Sequence, residues 1–205
     1  IIILAVKPQN MREALAEISP SIDDNKIIIS IAAGITTALI ESLLPKGARV
    51  LRVMPNTPAL AGEGAAAVTK GSLATDADLK LTRAVFDAVG ISVAVDEKLM
   101  DAVTGLSGSG PAYFFLVIEA LIEAGEKVGL SYDLAAKLSM QTMLGAARLC
   151  LQGDKKPSEL REMVTSPGGT TAAGLKALRE GKIRETIIAA VEAATARSRE
   201  LAGGK

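Results

Sequence analysis

The feature that most limits what this chain can fold into is a change of hydrophobic period near residue 96. Before it, short apolar runs alternate with segments of helical spacing; after it, only helical patterns remain. Ile1 to Val6, Lys26 to Ile31, Arg49 to Met54, Ala65 to Lys70 and Ile91 to Val95 read as strands, rich in β-branched residues and mostly bounded by Gly, Pro, Asn or Asp. The first three run continuously apolar, the pattern of parallel strands covered on both faces. Gln9 to Ile18 and Thr36 to Leu44 carry helical spacing, and Thr75-Asp76-Ala77-Asp78 opens a further helix as a capping box. The expected fold is α/β and then all-α, with domains 1–96 and 97–205, no flexible linker, and hence two rigidly packed halves.

Beyond Glu97 the expected helices are Leu99 to Leu106, Pro111 to Val128, Tyr132 to Gln152, Ser158 to Thr165, Thr170 to Arg179 and Lys182 to Leu201. Ser131 suits an N-cap, and Gly129, Gly153 and Gly181 sit where helices should stop. The run through Phe114, Phe115, Val117, Ile118, Leu121 and Ile122 is apolar over more than half a helix circumference, a face expected to meet another subunit. Ala202-Gly203-Gly204-Lys205 is expected to fray.

Charge excludes some functions. Twenty-three basic residues balance twenty-three acidic ones, so no net field draws nucleic acid or an anionic membrane. Aromatic residues make up 2% of the chain, too few for base-stacking platforms. There is no histidine, which removes the commonest general base and most transition-metal sites. The one cysteine, Cys150, lies in an apolar run and reads as a reduced core thiol, fitting a cytoplasmic address. Ile1 to Val6 lacks the basic flank and cleavage site of a signal segment, and Tyr113 to Ile122 is interrupted by Glu119, so no membrane span is expected.

Five turns are placed to carry chemistry. Ala5-Val6-Lys7-Pro8 leaves the first strand, and reads either as a plain strand-to-helix turn or as a ligand contact through Lys7. Ile31-Ala32-Ala33-Gly34 ends the second strand with small residues, allowing a flat ring against the backbone or simply tight packing. In Met54-Pro55-Asn56-Thr57-Pro58 two prolines fence Asn56 and Thr57 into a fixed turn, polar groups outward, where a ligand role is favoured. Leu106-Ser107-Gly108-Ser109-Gly110-Pro111-Ala112 either lines a site or lets two helices cross closely. Thr165-Ser166-Pro167-Gly168-Gly169-Thr170-Thr171 precedes a helix; two glycines and two threonines favour a carboxylate-binding helix start over a simple cap. Most carboxylates read as solvating helix faces; Glu97 and Asp154 lie upstream of these turns and could fold back towards them, although a solvated role is the favoured reading of each.

Taken in order, Ala5-Val6-Lys7-Pro8, Met54 to Pro58, Leu106 to Ala112 and Met163 to Thr171 resemble the motifs of pyrroline-5-carboxylate reductases, over essentially the whole chain. The resemblance implies a Rossmann-type dinucleotide-binding domain, present in part at 1–96, then a helical dimerisation and substrate domain that interlocks with a second subunit. It implies reduction of 1-pyrroline-5-carboxylate to L-proline, the last step of proline biosynthesis, in a cytoplasmic homodimer or higher homo-oligomer. NADP(H) is the implied cofactor, with NAD(H) the other candidate. Ala5, Val6, Lys7, Pro8, Ile31, Ala32 and Ala33, with Asn56 and Thr57, would contact the cofactor. Gly168, Gly169, Thr170, Thr171, Glu97 and Asp154 would bind substrate; relatives also place Glu at 154, so Asp154 has the shorter reach. Family members begin with a glycine-rich strand-loop-helix before this chain's first strand, so about two βα units, on the order of 60 residues, are expected to be missing.

The chemistry suits a chain without histidine, since reducing an imine needs an aligned cofactor and one proton. The helix start at Gly168 to Thr171 would hold the substrate carboxylate, and Thr171 is the catalytic candidate, hydrogen-bonded to the ring nitrogen. Two other readings are a related imine or β-hydroxy-acid reductase and an inactive oligomerisation module.

Overall fold

The computed structural model describes residues 1–203. Five strands, β1 (Ile2–Leu4), β2 (Ile27–Ser30), β3 (Arg49–Met54), β4 (Gly64–Lys70) and β5 (Gly90–Ala94), form one sheet in sequence order. β1, β2 and β3 are parallel, joined through α1 (Met11–Ile18) and α2 (Thr37–Leu43). β4 runs antiparallel to β3, and β5 parallel to β4. The reversal follows from the short connection after β3, a tight turn over Thr57–Ala61 closed by Gly62 at φ 76°; it is too short for a crossover, so the chain doubles back.

Strand alternation sorts the core into two faces. Ile28, opposite Ile2 and Val50, packs with Met11, Leu15 and Ile40. Ile29, Leu51, Val53 and Val68 face the other way, where Leu79 and Phe86 of α3 (Asp76–Asp87) cover them. The expectation of two covered faces holds for β2 and β3 but not for β1. Ile3 is 46% exposed, because β1 is an edge strand and α3 packs over β3, β4 and β5.

The capping box of α3 forms as expected. Asp78 N–H donates to Thr75 Oγ1 at 3.2 Å, and the Asp78 carboxylate accepts from Thr75 N and Oγ1, both at 2.8 Å. The same buried carboxylate accepts from Arg49 Nη1 at 2.7 Å. Burial pushes the Asp78 carboxyl up, but the Thr75 hydrogen bonds and the Arg49 charge outweigh it and hold it below its ordinary value.

After β5 come α4 (Met100–Val103), a π-helical turn over Thr104–Gly108, and α5 (Gly110–Lys127). The sequence pattern divides this stretch at the Gly/Ser turn; the structure joins it, with Ser109 N donating to Thr104 O at 2.8 Å. The resulting helical run Glu97–Lys127 is long and apolar enough, by length and composition, to cross a membrane, which the shorter run Tyr113 to Ile122 was not. Then follow α6 (Tyr132–Gln152), α7 (Pro157–Met163), α8 (Thr170–Glu180) and α9 (Ile183–Gly203). Ala202 and Gly203, expected to fray, complete α9; Gly204 and Lys205 lie outside the described residues.

By packing, the chain divides into Ile1–Pro111 with the segment from Ala189 onward, and Ala112–Ile188. This division differs from the one at 96/97 because α4, the π-turn and the end of α9 pack within the first unit. Ser198 Oγ donates to Asp101 Oδ1 at 2.7 Å, and a Cβ on Gly105 would lie 2.2 Å from Thr195 Oγ1, so only glycine permits that approach. In the second unit α6 opens on the Ser131 cap, whose Oγ accepts from Leu134 N at 3.4 Å. Its helices leave much apolar surface open: Phe114, Phe115 and Leu116 are each more than half exposed. Cys150, expected as a core thiol, is exposed.

Candidate active site

Parallel strands end on one edge of a sheet, and the small-residue turns expected to matter are there. Ile31 N donates to Leu4 O at 3.2 Å, so the β1–β2 pairing extends to the point where both turns begin. Ala5 and Lys7 are exposed beyond it, and Pro8 opens a tight turn closed by Asn10 N donating to Lys7 O at 2.9 Å. After β2, Ile31 is half-buried, Ala32 is buried and Ala33 exposed; Gly34, at φ 72°, swings the chain into α2. Thr36 caps that helix, accepting from Leu39 N at 3.2 Å. The result is a ledge of backbone and methyl groups beside Lys7. Among the described residues no group of three or more His, Cys, Asp or Glu could hold a metal ion.

The turn after β3 is built differently from the sequence expectation. Asn56 does not face outward: its Nδ2 donates to Ser107 O at 3.1 Å and its Oδ1 accepts from Ala65 N at 2.9 Å. Thr57, next along, is exposed.

Glu97 folds back, as its position allowed, but onto α2. Its carboxylate accepts from Thr37 N at 2.8 Å and from the Thr37 hydroxyl, and Arg52 Nη1 lies 3.4 Å from its Oε1. An acid at a helix N-terminus is favourable, because it satisfies an unpaired N–H and meets the positive end of the helix. Sequence reading passed over Arg52 and Thr37. The available signal was an arginine inside the apolar run Val50-Leu51-Arg52-Val53, where a charge is out of place.

In the second unit, Gly168 has φ 70° and Gly169 is the N-cap of α8. No side chain caps this helix, and Thr170 and Thr171 occupy its first turn, Thr170 exposed and Thr171 half-buried. The first-turn N–H groups lack partners within the helix, as the spacing predicts. Asp154 is exposed in the turn between α6 and α7.

A mixed α/β sheet with a ledge at the ends of its parallel strands, followed by a helical region, defines the class: a Rossmann-like domain joined to an all-helical one. Residues 1–34 match the family described as NADP oxidoreductase coenzyme F420-dependent, and residues 97–201 match pyrroline-5-carboxylate reductase dimerisation. A pyrroline-5-carboxylate reductase of Arabidopsis thaliana is 47% identical over 98% of this chain and 72% of its own length. The structure of the Coxiella burnetii pyrroline-5-carboxylate reductase superposes with a TM-score of 0.92 at 41% identity, covering 97% of this chain and 74% of that one. A Plasmodium falciparum pyrroline carboxylate reductase, solved with NADP bound, gives 0.91 at 37%, covering 98% and 81%. The chain belongs to the pyrroline-5-carboxylate reductase family.

Proposed function

We propose that this chain reduces 1-pyrroline-5-carboxylate to L-proline with NADPH, closing proline biosynthesis in the cytoplasm. The observation that carries the reading is the 47% identity to a pyrroline-5-carboxylate reductase over 98% of this chain; the side-chain-poor ledge of the first unit and the uncapped start of α8 in the second each agree with it. Ala5, Val6, Lys7 and Pro8, with Ile31, Ala32 and Ala33, would hold the cofactor, and Thr57 would border it; Asn56 would serve by fixing that turn. Bound NADPH supplies the hydride. As the new C–H bond forms at the imine carbon, the C=N π pair moves to nitrogen, which takes a proton.

The protein's part is placement. Backbone N–H groups of Thr170 and Thr171 hold the substrate carboxylate at the positive end of α8, while the Gly169 N–H, donating to Ser166 O at 3.1 Å, fixes the turn before it. The Thr171 hydroxyl hydrogen-bonds the ring nitrogen and assists its protonation; where the imine arrives protonated, it orients the ring. Glu97 and Asp154 supply negative charge for the cationic ring nitrogen. No histidine is needed.

The exposed apolar side chains Phe114, Phe115, Leu116 and Leu121 are covered by a second copy of the chain, giving a homodimer, with larger assemblies built from it. The match of residues 97–201 to a dimerisation family supports this over burial in a bilayer. The test of the reaction is product identity. Incubation with NADPH and 1-pyrroline-5-carboxylate yields L-proline, and six-membered imines with NADPH, or β-hydroxy acids with NADP+, turn over more slowly; a preference for either of those would replace this reading with a related reductase.

A further inference from the structure

The second strand runs Ile27-Ile28-Ile29 and then turns polar at Ser30, which is buried like the isoleucines before it. Beside Ser30, in register on β3, lies Arg52, only 3% exposed among Val50, Leu51 and Val53. By strand alternation both side chains share the core face of Ile28 and Val50, where apolar side chains would serve the fold at least as well. Arg52 Nη2 is buried with no hydrogen-bond partner, and Nη1 reaches Glu97 Oε1 at 3.4 Å. Removing a hydroxyl and a guanidinium from water is costly. Stability does not account for this pair, so their use lies in what they hold.

They hold the turn that carries the ledge, one at each end. At its start the Ser30 hydroxyl accepts from Ala32 N at 3.3 Å, so the chain bends while still tied to β2. At its end Thr37 is the first residue of α2, and Glu97 accepts from its N–H at 2.8 Å and from its hydroxyl. A first-turn N–H has no partner inside its own helix, so this carboxylate fixes where α2 begins. Arg52 Nη1 meets the same carboxylate from β3. Between the two anchors Gly34 bends at φ 72°, Ala32 is buried and Ala33 stands exposed. Every one of these residues belongs to the first packing unit.

We propose that Ser30 and the chain Arg52–Glu97–Thr37 are positioning residues for the cofactor: together they fix the Ile31 to Gly34 turn so that its backbone and the Ala33 methyl meet the nicotinamide nucleotide in one geometry. This rests on the reductase reading above, in which that turn contacts NADPH, and it asks of Glu97 only the contacts just given. A loosened turn binds NADPH less tightly, because binding must then order it.

NADPH titration by fluorescence, beside steady-state kinetics and urea unfolding, tests this. Ser30→Ala and Thr37→Val each raise the NADPH Kd and KM about 5-fold, with kcat and the imino-acid KM changed less than about 2-fold. Thr37→Ser, which keeps the hydroxyl, retains the wild-type NADPH Kd within about 2-fold, and Arg52→Lys binds NADPH more tightly than Arg52→Met. An unchanged NADPH Kd in either Ser30→Ala or Thr37→Val, a rise confined to the imino-acid KM, or a parallel fall in kcat overturns the proposal. A lower urea midpoint with NADPH affinity intact overturns it too, since that marks a purely structural role. Should Arg52→Met or Ser30→Ala not fold, the contrast of Thr37→Val with Thr37→Ser decides. Wild-type protein that binds no NADPH would overturn the cofactor reading itself, whereas wild type that binds it, with variants that bind equally well, removes only the role of these anchors.

Discussion

Asn56 Nδ2 donates to the carbonyl of Ser107, 51 residues away, at 3.1 Å. The reason lies in Pro111. A proline has no N–H, so the carbonyl four residues before it loses its α-helical donor, and Asn56 supplies the replacement. Through Oδ1 the same amide accepts from Ala65 N at 2.9 Å. One side chain thus fastens the turn after β3 to the start of β4 and to the π-turn.

Asn56→Ala strips partners from Ser107 O and Ala65 N together. The expected loss is about 2–3 kcal/mol of unfolding free energy, read from the urea midpoint, while Asn56→Asp, which keeps the acceptor, loses less. An unchanged midpoint in the alanine variant would show that water replaces both bonds.

Acid should weaken the first unit through Asp78. Its carboxyl is held low in the folded chain, so the unfolded state binds its proton at higher pH than the folded state does. The stabilisation is therefore complete above the unfolded value near pH 4 and declines as pH falls through the folded one. Asp78→Asn lowers the denaturation midpoint at neutral pH and flattens its fall under acid. Parallel acid profiles for the two proteins would assign that fall to other carboxylates.

Gly90 has φ 149°, and a Cβ there would lie 2.0 Å from Gly64 O. Because the clash is with backbone of the paired strand, it cannot be relieved by a rotamer. Gly90→Ala is expected to cost about 4 kcal/mol or more, seen as lost soluble yield or a much lower Tm. A Tm close to wild type would mean that β5 can shift away from β4.

Thr171 and Thr170 should separate in a kinetic comparison. Thr171→Val lowers kcat by about 100-fold if its hydroxyl assists protonation, Thr171→Ser retains most activity, and Thr170→Val changes kcat little. Equal losses at both positions would place the effect in the helix start rather than in one hydroxyl.

Much of this was readable from the sequence wherever one local rule decided the outcome. The five strands fall within a residue or two of their apolar runs, and the Thr75–Asp78 box and Ser131 cap form as their spacing predicts. What stayed hidden depended on contacts distant in sequence. The missing cover on Ile3 reflects its place at the sheet edge, and the inward amide of Asn56 answers a proline 55 residues later (111 − 56). The π-turn joining α4 to α5 depends on glycines that admit Thr195 and Met54, neither of which local periodicity can see. Of the candidate site, the turns at the strand ends and the α8 start were legible because glycine, proline and threonine carry their geometry locally. Arg52 was not, because its contact with Glu97 joins residues 45 apart in the sequence.

The most direct measurement is NADPH oxidation by the purified protein with and without 1-pyrroline-5-carboxylate. The account predicts oxidation that requires the imino acid, saturates with it and leaves L-proline in equal amount. NADPH consumption that ignores the imino acid, or none in a folded, NADPH-binding preparation, would contradict it.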